Sequence, residues 1–468
     1  MKEHSTKAKV FLDDGPRAEW HDKTIWSSKE KRDDAAAAIP EWEELRDLAS
    51  KIKEHTLSNL DKYLLEFEEN AIKNGVNIHW AKDGDEHNKI IEGIIKKHDA
   101  QKIVKSKSIL TEECGLNPHL EGMGFEIVDT DLGERIIQFA KQRPSHLVAP
   151  AIHLNTTEIS DIFNRELGTE KGNNDPQYLT EVARQHLREK FFGADIAITG
   201  VNFGVAGSGA VVVCTNEGNA DMGVHLANVH IACLSIEKLI PKPEHLGVFL
   251  RLLARSATGQ SITTYSSFFR KPRPGQEMHF VIVDNGRSDH LGLDDFWTAL
   301  KCIRCGACIN TCPVYRRSGG YSYDYTVPGP IGSVLAPRVN MGAFASMPFA
   351  STLCGSCTDV CPVKIDIHGQ LYKWRQEIVK KGHVSGKKRG MMKLAALILS
   401  NPFLYKVFGK IGIGLLKSKL DFIVYKALSP WGNSRTLPAE MKGSFRRWHK
   451  KRGNKKAKFD KVNSWGRH

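Results

Sequence analysis

The chain has 468 residues, too many for one ordinary core and suited to two or three domains. Its hydrophobic fraction of 41% and charged fraction of 26% are those of a globular protein and exclude a low-complexity chain. The net charge of +14 excludes nothing about fold, but it favours anionic partners or surfaces over cationic ones.

Residues 1–40 are polar and charged, with an alanine run, Ala35 to Ala38, that stops at Pro40. No apolar stretch of the signal-peptide kind opens the chain, which predicts a cytoplasmic location. From 41 to 74 apolar residues recur at three and four, the period of a helix: Trp42, Leu45, Leu48 and Ile52, then Leu57, Leu60, Leu64 and Phe67. The rhythm then changes. Strands are predicted at 76–81, 103–105, 125–128 and 147–150, separated by helices at 86–97, 116–122 and 133–141. Such alternation predicts a mostly parallel α/β sheet. A helix at 176–190 precedes a strand-rich stretch, with strands expected at 194–199, 210–215, 230–235, 261–265 and 278–283. A polar stretch at 285–293 ends this region. Seven of the ten cysteines follow, within about sixty residues. Beyond them the chain is apolar at 391–416, and residues 442–461 carry ten Lys/Arg against one Asp. The longest uncharged run there, 394–405, is 12 residues, short of the roughly 18–20 a spanning helix needs.

The cysteines carry the chemistry. Cys302, Cys305, Cys308 and Cys312 followed by Pro313 reproduce the bacterial ferredoxin run C-x2-C-x2-C-x3-C-P. Three thiolates at successive spacings of three wrap one cluster, and the fourth, a helical turn on, points to another. The second half, Cys354, Cys357 and Cys361 followed by Pro362, has Ser351 at the first position. Crossing the fourth ligands assigns Cys302, Cys305, Cys308 and Cys361 to one cluster and Cys312, Cys354 and Cys357 to the other. The second is then a [3Fe–4S] centre, or a [4Fe–4S] centre whose odd iron binds water, Ser351 or another ligand. A zinc ribbon is the competing reading, but seven cysteines with two C-x3-C-P endings do not suit four-coordinate zinc. The glycine-rich 204–209 segment precedes a strand rather than a helix, so it reads as a tight turn against a neighbour and not as a dinucleotide loop.

With this module go several short motifs: His79–Ala81, Lys105–Lys107, Thr130–Glu134, Thr215–Asn219, His230–Ser235, Glu237-Lys238, Thr258–Gln260 and Thr263–Tyr265. Together they resemble the iron–sulfur subunit of the bacterial three-part lactate-utilization system, from about residue 42 to 377. The resemblance implies an α/β lactate-utilization-protein domain, similar to CoA-transferase and sugar-isomerase-like sheets, joined to an α-helical two-cluster ferredoxin-like domain. It implies two [4Fe–4S] clusters on the seven cysteines named above. The expected role is electron transfer in a complex oxidising L-lactate to pyruvate, as part of an oxidoreductase rather than a complete enzyme. The expected partners are a cysteine-motif-rich subunit and a second lactate-utilization-domain protein. The alternative is a self-contained α/β enzyme acting on a small acid or a CoA ester.

The expected segments are 1–74 (helical), 75–290 (α/β), 291–380 (dicluster) and 381–468 (apolar and basic extension). In the α/β segment Glu217 is the candidate acid/base, set against an ordinary Asn-Glu-Gly-Asn turn. Lys105 and Lys107 alternate along one strand face and read either as a carboxylate site or as a solvated edge. His79, His225 and His230 show no metal-ligand spacing. The basic tail, punctuated by Phe445, Trp448, Phe459 and Trp465, suits a solvated interaction segment or peripheral contact with a membrane or its quinone; nucleic acid is the less favoured partner.

Overall fold

The computed structural model describes residues 3–417 and His449. The chain forms two compact units, Met1–Val384 and Ser385–His468.

The first unit opens with four helices, α1 (His4–Asp13), α2 (Gly15–Ala37), α3 (Trp42–Ser58) and α4 (Leu60–Lys73). The first forty residues show no hydrophobic period, yet two of these helices lie there. The reason is that α2 buries polar side chains, His21 and Arg32, beside Ala18, Ile25 and Ala36. Their partners are distant in sequence: His21 Nδ1 lies 3.0 Å from the carbonyl of Arg316, and Arg32 donates to that of Val360 at 3.1 Å. The helical stretch at 41–74 breaks at Asn59, whose backbone leaves the helical region.

Ten strands follow: β1 (Asn77–Ala81), β2 (Lys102–Lys105), β3 (Glu126–Asp129), β4 (Ile196–Gly200), β5 (Phe203–Val205), β6 (Ala210–Thr215), β7 (Val229–Ser235), β8 (Leu239–Ile240), β9 (Tyr265–Phe269) and β10 (Glu277–Val283). Six form a parallel sheet in the order β1-β10-β7-β4-β2-β3. Its central strands β4 and β7 are buried along their whole length, as parallel strands covered on both faces must be. A second, mixed sheet has the order β8-β5-β6-β9. β4 passes into β5, and β7 into β8, after only a few residues. The C-terminal ends of the parallel strands therefore face the second sheet, and a crevice lies there. Gly209 confirms the turn expected at 204–209: it has φ +62°, and a Cβ would stand 2.3 Å from the Ala71 amide of α4.

Two expected strands are corrected. Residues 147–150 are not a strand. His146 Nδ1 accepts the amides of Val148 and Ala149 at 3.0 and 3.1 Å, and Lys107 donates to the Val148 carbonyl, so the groups a sheet would use are taken. The strand expected at 261–265 begins instead at Tyr265. The preceding residues are drawn off by Asn216, whose Oδ1 accepts the Thr264 amide at 3.2 Å, and by Arg255, which holds the Ser261 carbonyl.

The cysteine module is helical: Ala307–Asn310, Pro313–Ser318, Gly329–Val339, Ser356–Asp359 and Ile367–Lys380. One continuous core runs from Ile25 and Trp42 through Phe203 and Phe249 to Cys305, Tyr315 and Trp374. Trp374 stacks on Phe296 with ring centres 4.0 Å apart and donates to the Val334 carbonyl at 2.8 Å.

In the second unit, helices Gly386–Ser400 and Pro402–Lys417 are described. Met391, Leu394, Leu397, Phe403 and Phe408 stand exposed on them. Among the described residues no single helix is long and apolar enough to cross a membrane; the bent pair Gly386–Ser400 and Pro402–Gly414, meeting at 107°, passes that test only together. The basic tail and its four aromatic residues lie outside the described residues.

Candidate iron–sulfur centres and an adjoining pocket

The two cysteine motifs share one backbone. Arg304 and Leu353, each just before the second motif position, both adopt positive φ, at 61° and 55°. Gly306 and Gly355, just after it, do the same at 78° and 82°. Each glycine then opens a one-turn helix, Ala307–Asn310 and Ser356–Asp359. A left-handed residue on either side of a cysteine curls the loop so that amides point inward. Arg304 pays a steric cost there that glycine does not. Inward amides are seen at Arg304, Tyr315 and Ile365, which donate to the sulfurs of Cys302, Cys312 and Cys361 at 3.4, 3.5 and 3.4 Å. Hydrogen bonds of this kind are what a cluster's sulfur ligands require.

The fold brings the cysteines together in two sets. Cys302, Cys305, Cys308 and Cys361 line one cavity with Gly306 and Pro362. Burial, and then the neighbouring thiols, push Cys305 and Cys308 well above the usual thiol range. In the other set burial, then Cys312 and Cys354, push Cys357 up to about 12. Thiols held protonated by burial and by one another release their protons when iron supplies the compensating charge. The two motifs touch where Thr311 Oγ1 and Ser356 Oγ lie 2.5 Å apart. Cationic side chains surround the first set: Arg46 Nε and Nη2 donate to the Cys361 carbonyl at 3.0 and 2.9 Å. The residues present fit two clusters. The first set is buried apart from the partly exposed Cys302, while Cys354 in the second set is exposed.

A cavity of about 220 Å³ opens at the C-terminal ends of the parallel strands, and Cys305 forms part of its wall. This is where open α/β sheets place ligands. Its cations are Lys107, Lys238, Arg287 and Arg304. Arg287 lies 2.5 Å from Glu113 and 2.9 Å from Glu237. Arg304 lies 3.7 and 3.6 Å from the same two carboxylates. Burial works against an ionised Glu237, but Arg287 and Arg304 outweigh it and hold the carboxyl at about 2. Lys238 makes no hydrogen bond or ion pair among the described residues, and burial followed by Arg304 lowers it to about 8. The pocket thus joins the α/β sheet to the first cysteine set and offers an unpaired ammonium group.

The other sequence candidates fall out as follows. Glu217 is exposed at the pocket, and among the described residues its carboxylate accepts only the Asn216 amide, at 3.2 Å. Asn216 is a turn residue that staples Gln260 and Thr264. Asn219 is buried, donates to Thr130 Oγ1 at 3.2 Å, and leaves its Oδ1 unpaired. Lys105 and Lys107 do not share a strand face, because β2 ends at Lys105. Lys105 is neither a free carboxylate site nor a solvated edge: it is fully buried, 2.6 Å from Asp129 and 3.3 Å from Glu112. Sequence reasoning missed Arg304, Arg287 and the role of Lys238. The Glu237-Lys238 pair was the only signal, and it does not say which charge is neutralised.

Comparison with known proteins agrees with this geometry. Residues 64–287 match the LUD domain model, and residues 298–365 match the 4Fe-4S dicluster domain model. Lactate utilization protein B of Bacillus cytotoxicus is 44% identical over 435 residues, covering 90% of this chain and 92% of its own. Lactate utilization protein B of Bacillus cereus is 42% identical with the same coverage. A DUF162 family protein from Deinococcus radiodurans, known from a crystal structure, is aligned over 48% of this chain and 98% of its own at 10% identity and a TM-score of 0.28, too slight a likeness to bear on the fold. The fold is an α/β LUD domain joined to a ferredoxin-like dicluster region, and its cofactors are two iron–sulfur clusters. With relatives this similar along nine-tenths of its length, the chain belongs to the lactate utilization protein B family.

Proposed function

We propose that this chain serves lactate utilization as the iron–sulfur electron-transfer subunit of a multi-subunit complex that oxidises L-lactate to pyruvate. Cys302, Cys305, Cys308 and Cys361 hold the first cluster; Cys312, Cys354 and Cys357 hold the second. Each cluster, when bound, takes up and gives back single electrons. The observation that carries the reading is the exposure gradient between the sets: the first adjoins the α/β pocket through Cys305, and the second presents Cys354 at the surface. Arg46 and Arg304 supply positive charge where electrons are to be held, and the backbone amides of both loops steady the sulfurs. Oxidation of lactate to pyruvate releases two electrons and two protons, so two one-electron centres match its stoichiometry.

A second reading is favoured by the pocket itself. Lys238 and Lys107 are suited to receive the carboxylate of a small acid beside Cys305, which would give the α/β domain its own substrate. The cavity has room for a small carboxylic acid.

The test is anaerobic reconstitution followed by EPR of the reduced protein, then addition of L-lactate with and without partner subunits. Cluster signals that lactate reduces only when partners are present support electron transfer. Reduction by lactate with the chain alone supports the second reading. Reconstituted protein that holds no labile sulfide overturns the electron-transfer reading.

A further inference from the structure

We propose that the Oγ of Ser351 is the fourth protein ligand of the second cluster, which completes a three-cysteine, one-serine site. The inference rests on the two-cluster reading and goes beyond it, because nothing in the cysteine spacing selects among serine, water and an open iron.

The argument is an equivalence between two loops. Ser351 stands where Cys302 stands in the first motif, three residues before the second-position cysteine. Cys302 Sγ accepts the amide of Arg304, two residues on, at 3.4 Å. Ser351 Oγ accepts the amide of Leu353, also two residues on, at 3.1 Å. The shorter distance is that of an oxygen acceptor replacing a sulfur. Arg304 and Leu353 share the left-handed conformation, and so do Gly306 and Gly355 beyond them. The serine hydroxyl therefore occupies the local position that the first thiol occupies in its own loop.

The loop is also held in place. Arg375 on helix Ile367–Lys380 donates from Nη2 to the Ser351 carbonyl at 2.7 Å and from Nε to the Pro348 carbonyl at 2.9 Å. A guanidinium bridging two carbonyls fixes the backbone that carries the hydroxyl. Ser351 is half-buried, and its own hydroxyl proton is given to no acceptor among the described residues. Ligation costs that one proton, released to solvent. Another hydroxyl near this set, that of Tyr323, is fully buried beside Cys312 and has no hydrogen-bond partner among the described residues, but it lies between the two motifs and has no counterpart in the first loop. Oxygen is a harder donor than thiolate and favours the more oxidised iron, so a serine corner sets the second cluster's potential below that of an all-cysteine one.

The experiment compares the full-length wild type with Ser351→Cys, Ser351→Ala and, as a control on the same loop, Thr352→Ala. All are reconstituted anaerobically and read by iron and sulfide content, Mössbauer and EPR spectra, and redox titration. The first cluster is the internal control for folding. Expected are two four-iron clusters in the wild type and in Thr352→Ala. Ser351→Cys keeps both and raises the midpoint of the second alone. Ser351→Ala loses one iron from the second cluster on mild oxidation and shows the signal of an oxidised three-iron centre. A Ser351→Ala protein that matches the wild type in iron content, spectrum and midpoint overturns the proposal. So does a wild-type second site that holds only three irons, which leaves the two-cluster reading intact. A wild-type chain without labile sulfide overturns both.

Discussion

Arg46 of α3 and Cys361 of the second cysteine motif are joined by a forked contact: Nε and Nη2 of the guanidinium both donate to the Cys361 carbonyl, at 3.0 and 2.9 Å. The two residues are 315 positions apart, and the N-terminal helix thereby carries a buried positive charge to the edge of the first cysteine set. Adding an electron to a cluster adds negative charge, which a nearby cation stabilises. Arg46→Met is expected to lower the midpoint potential of the first cluster and leave the second nearly unchanged. Losing the charge-assisted hydrogen bonds should also cost about 1.5–3 kcal/mol of stability. An EPR-monitored redox titration and a thermal melt check the two effects.

Lys238→Gln is expected to weaken binding of a small carboxylate in the pocket beside Cys305. Among the described residues the ammonium makes no hydrogen bond or ion pair, and Glu237 keeps Arg287 and Arg304, so removing it strands no buried acid. One charge-assisted hydrogen bond is worth about 2 kcal/mol, or roughly a thirtyfold loss of affinity. Calorimetry with L-lactate and pyruvate measures it. Equal affinity in wild type and variant would place the anion elsewhere.

Stability is expected to fall as pH drops below 6.5. Burial holds His87 at about 4 and His146 and His230 at about 3. Folded, these imidazoles stay neutral, whereas in the unfolded chain they begin to take up protons near pH 6.5. The unfolded state therefore binds more protons between those limits, and the stability present above pH 6.5 is lost on acidification. At pH 5 each contributes about 2 kcal/mol to that loss. His146→Gln should flatten the slope of melting temperature against pH between 7.5 and 5, whatever it does to the absolute value.

Trp374→Ala should cost about 3–5 kcal/mol, as expected when a large buried aromatic ring is removed. It deletes the stack on Phe296 and the bond to the Val334 carbonyl beneath the cysteine loops. Faster loss of iron to a chelator, with the α/β far-ultraviolet signal retained, is the measurement that checks it.

The amino-acid order by itself determined what depends on neighbours along the chain. Cysteine spacing sets which thiols share a loop. Alternation of apolar runs predicted strands that the structure contains at β1, β2, β3, β4, β6, β7 and β10. Only the tertiary structure decided the rest. The first forty residues became helices because their buried partners, such as the carbonyls of Arg316 and Val360, lie some three hundred positions away. Residues 147–150 lost their strand to one imidazole and one ammonium group. Lys105 and Lys238 are the same residue type, one ending β2 and the other three residues past the end of β7. Yet the first is neutralised by Asp129 and Glu112, and the second is left open to the pocket. Backbone geometry within a loop is local and can be read from spacing. Burial and charge pairing are sums over residues that only the folded chain brings together.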